Sequence, residues 1–212
     1  MNKNYTFANR YKVIKPIGSG GSSTVYKALD LRNNQHIALK LMNLPASSQD
    51  NYTCHFFMRE VYFHSKMKHP HIVNLIDFGY HDSLCFMIME YIEGRTLKEI
   101  SLQEPMGLEL VARISSDIID ALEYFDHHDI VHRDIKPSNL ILTASNEVKI
   151  IDFGLCKGQY DCTISAKNNI NGTPQFLPTE QIIGNSSLDI KSDIYSLGIT
   201  IYYILTGKFP FC

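Results

Sequence analysis

Apolar and polar positions along the first part of the chain form short strand-like runs. Residues 11–18 (YKVIKPIG), 23–30 (STVYKALD) and 36–42 (HIALKLM) carry β-branched and aromatic side chains at strand spacing. Turn residues separate them, Gly18 to Ser23 in one gap and Asn33-Asn34 in the other, so three consecutive antiparallel strands are expected. After a polar stretch over 45–53, Phe57, Val61, His64 and Met67 recur at helical spacing until His69-Pro70 stops the run. Residues 72–80 (IVNLIDFGY) and 84–92 (LCFMIMEYI) read as two further strands. Beyond Glu93-Gly94 the period changes: Val111, Ile114, Ile118, Leu122 and Phe125 share one face of a helix over 108–125. Short strand-like runs IVH, LILT and VKIID surround the polar segment 133–139, and a loop rich in Asn, Thr, Ser and Gly covers 158–173. A last helix over 194–205 is apolar on nearly every side, which predicts a core position within a helical lobe. That run is too short for a bilayer, which needs about 20 residues.

Composition narrows the class. The 212 residues, 44% of them hydrophobic, suffice for one large or two small globular domains. Twenty Lys+Arg against 22 Asp+Glu leave a formal charge of -2, so the basic excess of a nucleic-acid or membrane-surface protein is missing. Neither partner is expected, and any anion must be met by local features. The five cysteines, Cys54, Cys85, Cys156, Cys162 and Cys212, include no Cys-x-x-Cys pair and read as reduced thiols of a cytoplasmic protein. The opening MNKNYTFANRY lacks the apolar stretch of a signal peptide.

Three motifs carry chemistry. Gly18-Ser19-Gly20-Gly21-Ser22-Ser23 is a phosphate-loop pattern. In a dinucleotide site such a loop opens a helix, whereas a loop joining two antiparallel strands is the other phosphate-binding form. The following Thr24-Val25-Tyr26 favours the strand. Glycines let backbone N–H groups approach phosphate oxygens, so no net positive charge is required. Lys40 ends the third strand, and Glu60 on the next helix is its candidate ion-pair partner, able to aim the ammonium at phosphates. The most specific signal is His132-Arg133-Asp134-Ile135-Lys136-Pro137-Ser138-Asn139 followed by Asp152-Phe153-Gly154. In-line phosphoryl transfer needs a carboxylate to orient the attacking hydroxyl and take its proton, which suits Asp134. It needs hard oxygen ligands for Mg²⁺, which suits Asn139 and Asp152. Lys136 would offset charge developing on the γ-phosphate. A polar octapeptide between strands can be an ordinary loop, but the order and spacing of all the motifs decide against that.

On these residues the chain resembles a eukaryotic-type protein kinase from about Tyr11 to its last residue. Asp134 to Asn139 and Gly172-Thr173-Pro174 resemble the serine/threonine branch, in which Lys136 and Thr173 help hold the substrate hydroxyl. The resemblance implies an α+β, two-lobed fold. Residues 1–10 would be an N-terminal extension, 11–92 a small antiparallel sheet lobe with one helix, and 93–212 a mainly helical lobe lacking its last helices. It implies ATP and Mg²⁺ as cofactors and a protein substrate with a Ser or Thr acceptor. The nucleotide would lie against Ile17, Gly18, Ser19, Gly20, Gly21, Ser22 and Ser23. Val25, Ala38 and Ile141 would sandwich the adenine, Met89 would be the gatekeeper, and Glu90 to Ile92 the hinge. Arg133 before the catalytic aspartate implies a loop ordered by phosphorylation, with Thr163 and Ser165 as candidates.

Four departures from the family pattern stand out. Ser23 replaces the third glycine, a tolerated change. Pro178-Thr179-Glu180 and Phe176 stand where Ala-Pro-Glu and tyrosine are usual. His64 occupies a position normally aliphatic, in a stack with Leu75, His132 and Phe153; the expectation is that it loosens the helix, so that His64→Leu raises activity, the alternative being a partly exposed histidine at a tolerant position. Finally, the helices that would cover residues 194–205 and pair with Glu180 are not in the sequence, so an exposed apolar helix face and self-association through it are expected. An alternative reading follows, a nucleotide-binding scaffold or inactive fragment. A small-molecule phosphotransferase would explain Asp134, Asn139 and Asp152 but not residues 172–180.

Overall fold

The computed structural model describes residues 5–20, 23–42, 51–82, 84–158, 174–178 and 189–211. The chain divides into two compact units. The first comprises the residues up to Met67 with Val73–Ile92, the second Lys68–Ile72 with the residues from Glu93 onward. Lys68–Ile72 groups with the later residues because His71 O accepts the Ile150 N–H at 2.9 Å and Ile72 forms a parallel bridge with Ile150.

The first unit is an antiparallel sheet in the order β1-β2-β3-β4-β6-β5. Its strands are β1 (Thr6–Phe7), β2 (Tyr11–Ser19), β3 (Ser23–Asp30), β4 (Gln35–Met42), β5 (Leu75–His81) and β6 (Leu84–Glu90), with helix α1 (Asn51–Lys66) between β4 and β5. Period-two alternation assigns the faces. Cys85 and Met87 of β6 pack with Phe57 and Val61 of α1 and with Met42. Phe86 and Ile88 point to the other face, among Phe7, Tyr11, Val13, Ile37, Leu39 and Leu41. Burial on both faces explains why LCFMIME is a continuous apolar run. Phe7 lies edge-on to Phe86 with ring centroids 5.2 Å apart, so a residue assigned to the N-terminal extension belongs to this core. Helix α1 starts at Asn51, inside the stretch read as a polar loop, and Met67 falls just past its end.

The second unit contains β7 (Gly94–Thr96), α2 (Leu97–Ser101), α3 (Leu108–His127), β8 (Ile130–Val131), β9 (Leu140–Thr143), β10 (Val148–Ile150), β11 (Lys157–Gly158) and α4 (Ile190–Thr206), with 3-10 turns at Pro137–Asn139 and Pro174–Phe176. Helix α2 opens with a capping box: Thr96 Oγ1 accepts the Glu99 N–H at 3.1 Å and Glu99 Oε2 accepts the Thr96 N–H at 2.8 Å. Helix α3 buries Val111, Ile114, Ile118, Leu122 and Phe125, the stripe its periodicity marks. Helix α4 starts four residues before the expected position, at an Asp189 N-cap whose Oδ1 accepts the Lys191 N–H at 2.9 Å.

The picture of α4 as apolar and buried nearly all round needs correction. Ile194, Tyr195 and Tyr202 are exposed, while Ser192, Asp193, Ser196 and Thr200 are buried. The cause is backbone demand: Ser196 Oγ donates to Phe176 O at 2.9 Å, Thr200 Oγ1 donates to Ile135 O at 3.4 Å, and Asp193 accepts from the loop after β8. Among the described residues no helix is long and apolar enough to cross a membrane.

Candidate active site

In the first unit, β2 and β3 form an antiparallel hairpin with Gly18 opposite Val25 and Ser19 opposite Thr24. The Gly20 N–H donates to Ser23 O at 2.8 Å, closing the glycine-rich turn. The loop therefore leads into a strand, which removes the dinucleotide alternative. Gly21 and Ser22 lie outside the described residues. Val25 pairs with Lys40, Lys40 with Met87, and Ala38 with Met89, so Val25, Ala38, Lys40 and Met89 share the face of the sheet that α1 covers. Strand alternation thus turns Lys40 toward the helix, where Glu60 awaits it: Nζ lies 2.5 Å from Glu60 Oε1, and both side chains are nearly buried. Breaking a buried pair of this kind costs about 3–5 kcal/mol. Ile17 is exposed, while Ile92 is partly buried at the end of this unit.

Glu90 is tied to the segment before β5. Its N–H donates to Asn74 O at 3.0 Å, and its Oε1 accepts the Asn74 N–H at 2.9 Å. His64 is buried, and its Nε2 lies 2.6 Å from Val73 O. The idea of a partly exposed histidine at this position is therefore set aside.

In the second unit, the chemistry sits at one end of the β9–β10 hairpin. Leu140 pairs with Ile150, and the Ile151 N–H donates to Asn139 O at 3.0 Å, which brings Asn139 alongside the residue preceding Asp152. Asp134 is held from two directions. Lys136 Nζ donates to both of its carboxylate oxygens at 2.8 Å, and Asn139 Nδ2 donates to Oδ2 at 2.8 Å and to the Asp134 carbonyl at 3.0 Å. Because the Asn139 amide nitrogen is committed to Asp134, its Oδ1 is directed elsewhere, and Ser138 Oγ approaches it at 3.5 Å. Asn139 Oδ1 and the Asp152 carboxylate are therefore two hard oxygen donors at one hairpin end, a donor set that fits Mg²⁺. Ile141, in β9, is partly buried.

A buried carboxylate shapes the loop that carries Asp134. Asp193 Oδ2 accepts the His132 N–H and Oδ1 the Arg133 N–H, each at 2.7 Å. Complete burial pushes the Asp193 carboxyl up to about 7, while these two donors pull in the opposite direction. The clamp accompanies a left-handed backbone at Arg133, with φ at 69°. His132 Nδ1 accepts the Asp134 N–H at 3.3 Å, and its ring lies 5.2 Å from Phe153 and 5.7 Å from Phe125. Burial pushes the His132 imidazole below its ordinary value, which favours the neutral ring that this acceptor role needs.

Within the first unit the fold brings Lys40 to Glu60; within the second it brings Asp134, Lys136, Asn139 and Asp152 to one hairpin end. Thr163, Ser165, Thr173 and Glu180 lie outside the described residues. Sequence reading takes 194–205 as an apolar core helix and does not place Asp193 in the site. Its signal was a carboxylate in the first turn of an otherwise apolar helix, a position expensive for a charge without donors.

A family model described as protein kinase domain matches residues 11–212. The chain is 36% identical over 205 residues to the serine/threonine-protein kinase PrkC of Bacillus subtilis (strain 168), covering 96% of this chain and 31% of that protein. It is 34% identical over 207 residues to a probable serine/threonine-protein kinase PknB of Lactococcus lactis subsp. lactis (strain IL1403), covering 97% and 33%. Against the serine/threonine-protein kinase PknB of Mycobacterium leprae (strain TN) the identity is 35% over 210 residues, covering 96% and 33%. The chain spans about a third of the length of these curated relatives.

Proposed function

Since the chain belongs to the protein kinase family, on its serine/threonine branch, we propose that it transfers the γ-phosphate of Mg-ATP to Ser or Thr hydroxyls of protein substrates. The observation that carries this reading is the carboxylate of Asp134, gripped by Lys136 and Asn139 beside Asp152. Asp134 orients the acceptor hydroxyl and takes its proton as the hydroxyl oxygen bonds to the γ-phosphorus. The bond from that phosphorus to the β,γ-bridging oxygen breaks, and ADP leaves with the electron pair. Lys136 lies close enough to the same carboxylate to offset charge on the transferring group. Lys40, fixed by Glu60, holds nucleotide phosphate, and the backbone of the Gly18 to Ser23 turn approaches it. Asn139 and Asp152 would hold Mg²⁺, which supplies charge neutralisation between the phosphates when bound.

Val25, Ala38 and Met89, on one face of the first unit's sheet, would meet adenine in this reading, and the backbone of Glu90 to Ile92 would bond its edge. A cytoplasmic setting belongs to the same reading, because the five cysteines include no Cys-x-x-Cys pair. Exposed Ile194, Tyr195 and Tyr202 on α4 support self-association through that helix.

The test is incubation with Mg-ATP labelled on the γ-phosphate and a generic basic protein, followed by phosphoamino-acid analysis. Label on serine and threonine is the expected result. Nucleotide binding without transfer would favour the scaffold reading instead.

A further inference from the structure

His64 lies four residues after Glu60 on α1, so both side chains leave the same face of the helix. Its ring is 1% exposed, and Nε2 is 2.6 Å from the carbonyl oxygen of Val73, a residue itself 2% exposed. A carbonyl has no proton to give, so the imidazole donates and the neutral ring carries its proton on Nε2. The next residue, Asn74, exchanges two hydrogen bonds with Glu90. A side chain of α1 thus reaches the two-residue segment that also fixes the start of residues 90–92.

We propose that His64 is a positioning residue: its bond to Val73 sets the rotation of α1 that presents Glu60 to Lys40, and joins that ion pair to residues 90–92 through Val73 and Asn74. The proposal rests on reading Lys40, Glu60 and residues 90–92 as nucleotide-handling groups. A helix held by one ion pair can still turn about its axis. A second directional anchor one turn further along removes that freedom, which an apolar contact does not do because it is non-directional. The expectation that histidine here loosens the helix assumed an unmet cost of burial. The bond to Val73 meets that cost at Nε2, so the sign of the expected effect reverses.

Two variants separate direction from bulk. His64→Leu keeps apolar volume but removes the donor and strands a buried carbonyl, whereas His64→Gln keeps an N–H donor. Well below the melting temperature, kcat/KM for ATP is expected to fall about tenfold in His64→Leu, as for one lost buried hydrogen bond. KM for the protein substrate should stay unchanged, and His64→Gln should recover most of the loss. Wild-type kcat/KM in His64→Leu, or a His64→Gln variant as impaired as His64→Leu, would overturn the proposal. Nitrogen NMR of the His64 ring in the unmodified protein tests the contact without activity or any variant. A slowly exchanging proton on Nε2 is expected, and a ring carrying its proton on Nδ1 alone at neutral pH overturns the proposal even if no phosphate transfer is found.

Discussion

Asp30 and Asp193 are both buried, yet their carboxyls move in opposite directions. Asp30 is gripped by the Arg10 guanidinium, Nε to Oδ1 at 2.9 Å and Nη2 to Oδ2 at 2.7 Å, which holds it below its ordinary 3.8. A lowered folded-state value means that the pair stabilises the protein above about pH 4 and that this share is lost as pH falls through the folded value. Urea melts of Asp30→Asn should therefore be weakened near neutral pH and should vary less with pH below 3.8 than those of the unmodified protein. A parallel acid limb in both would contradict the assignment. Asp193 has the opposite sign: raised to about 7 by burial, it favours the folded state most below 3.8 and loses that share as pH rises through 7. At this scale the chemistry was legible where it is carried by side-chain identity at fixed spacing, as in Asp134, Lys136 and Asn139. The partners of His64 and Asp193 were not legible, because they are backbone groups, which no residue letter distinguishes.

Strands β2, β3 and β4, rich in β-branched and aromatic residues and bounded by turn residues, stand where the pattern put them, as does the buried stripe of α3. The two-residue β1 escaped notice because two positions define no period. The early start of α4 was hidden by its polar first turn, in which Ser192 and Asp193 are buried, Asp193 against the backbone of the loop after β8. Strand β7 shows what sets an element's tolerance. It pairs with β9, Gly94 opposite Thr143, and a Cβ on Gly94 would lie 2.7 Å from Ile141 Cγ2 and closer still to Leu142 O. Gly94→Ala should cost about 1–3 kcal/mol, since the obstacle is partly backbone and cannot swing aside. Thermal melting checks this, and an unchanged midpoint would mean that β7 does not approach β9 so closely.

On the scale of the whole molecule, two units each carry a self-contained set of side chains: a glycine-rich turn with a paired lysine in the first, a restrained carboxylate beside two oxygen donors in the second. Motif order exposed this division because each motif lies within one unit. Lys68–Ile72 joining the second unit was invisible, since a long-range bridge to Ile150 decides it. The central claim is that Asp134 is the base of a phosphoryl transfer, and Asp134→Asn compared with the unmodified protein tests it most directly. Single-turnover transfer from Mg-ATP should slow by about 10²–10⁴-fold while nucleotide affinity stays the same. Transfer at the wild-type rate in Asp134→Asn would contradict the account.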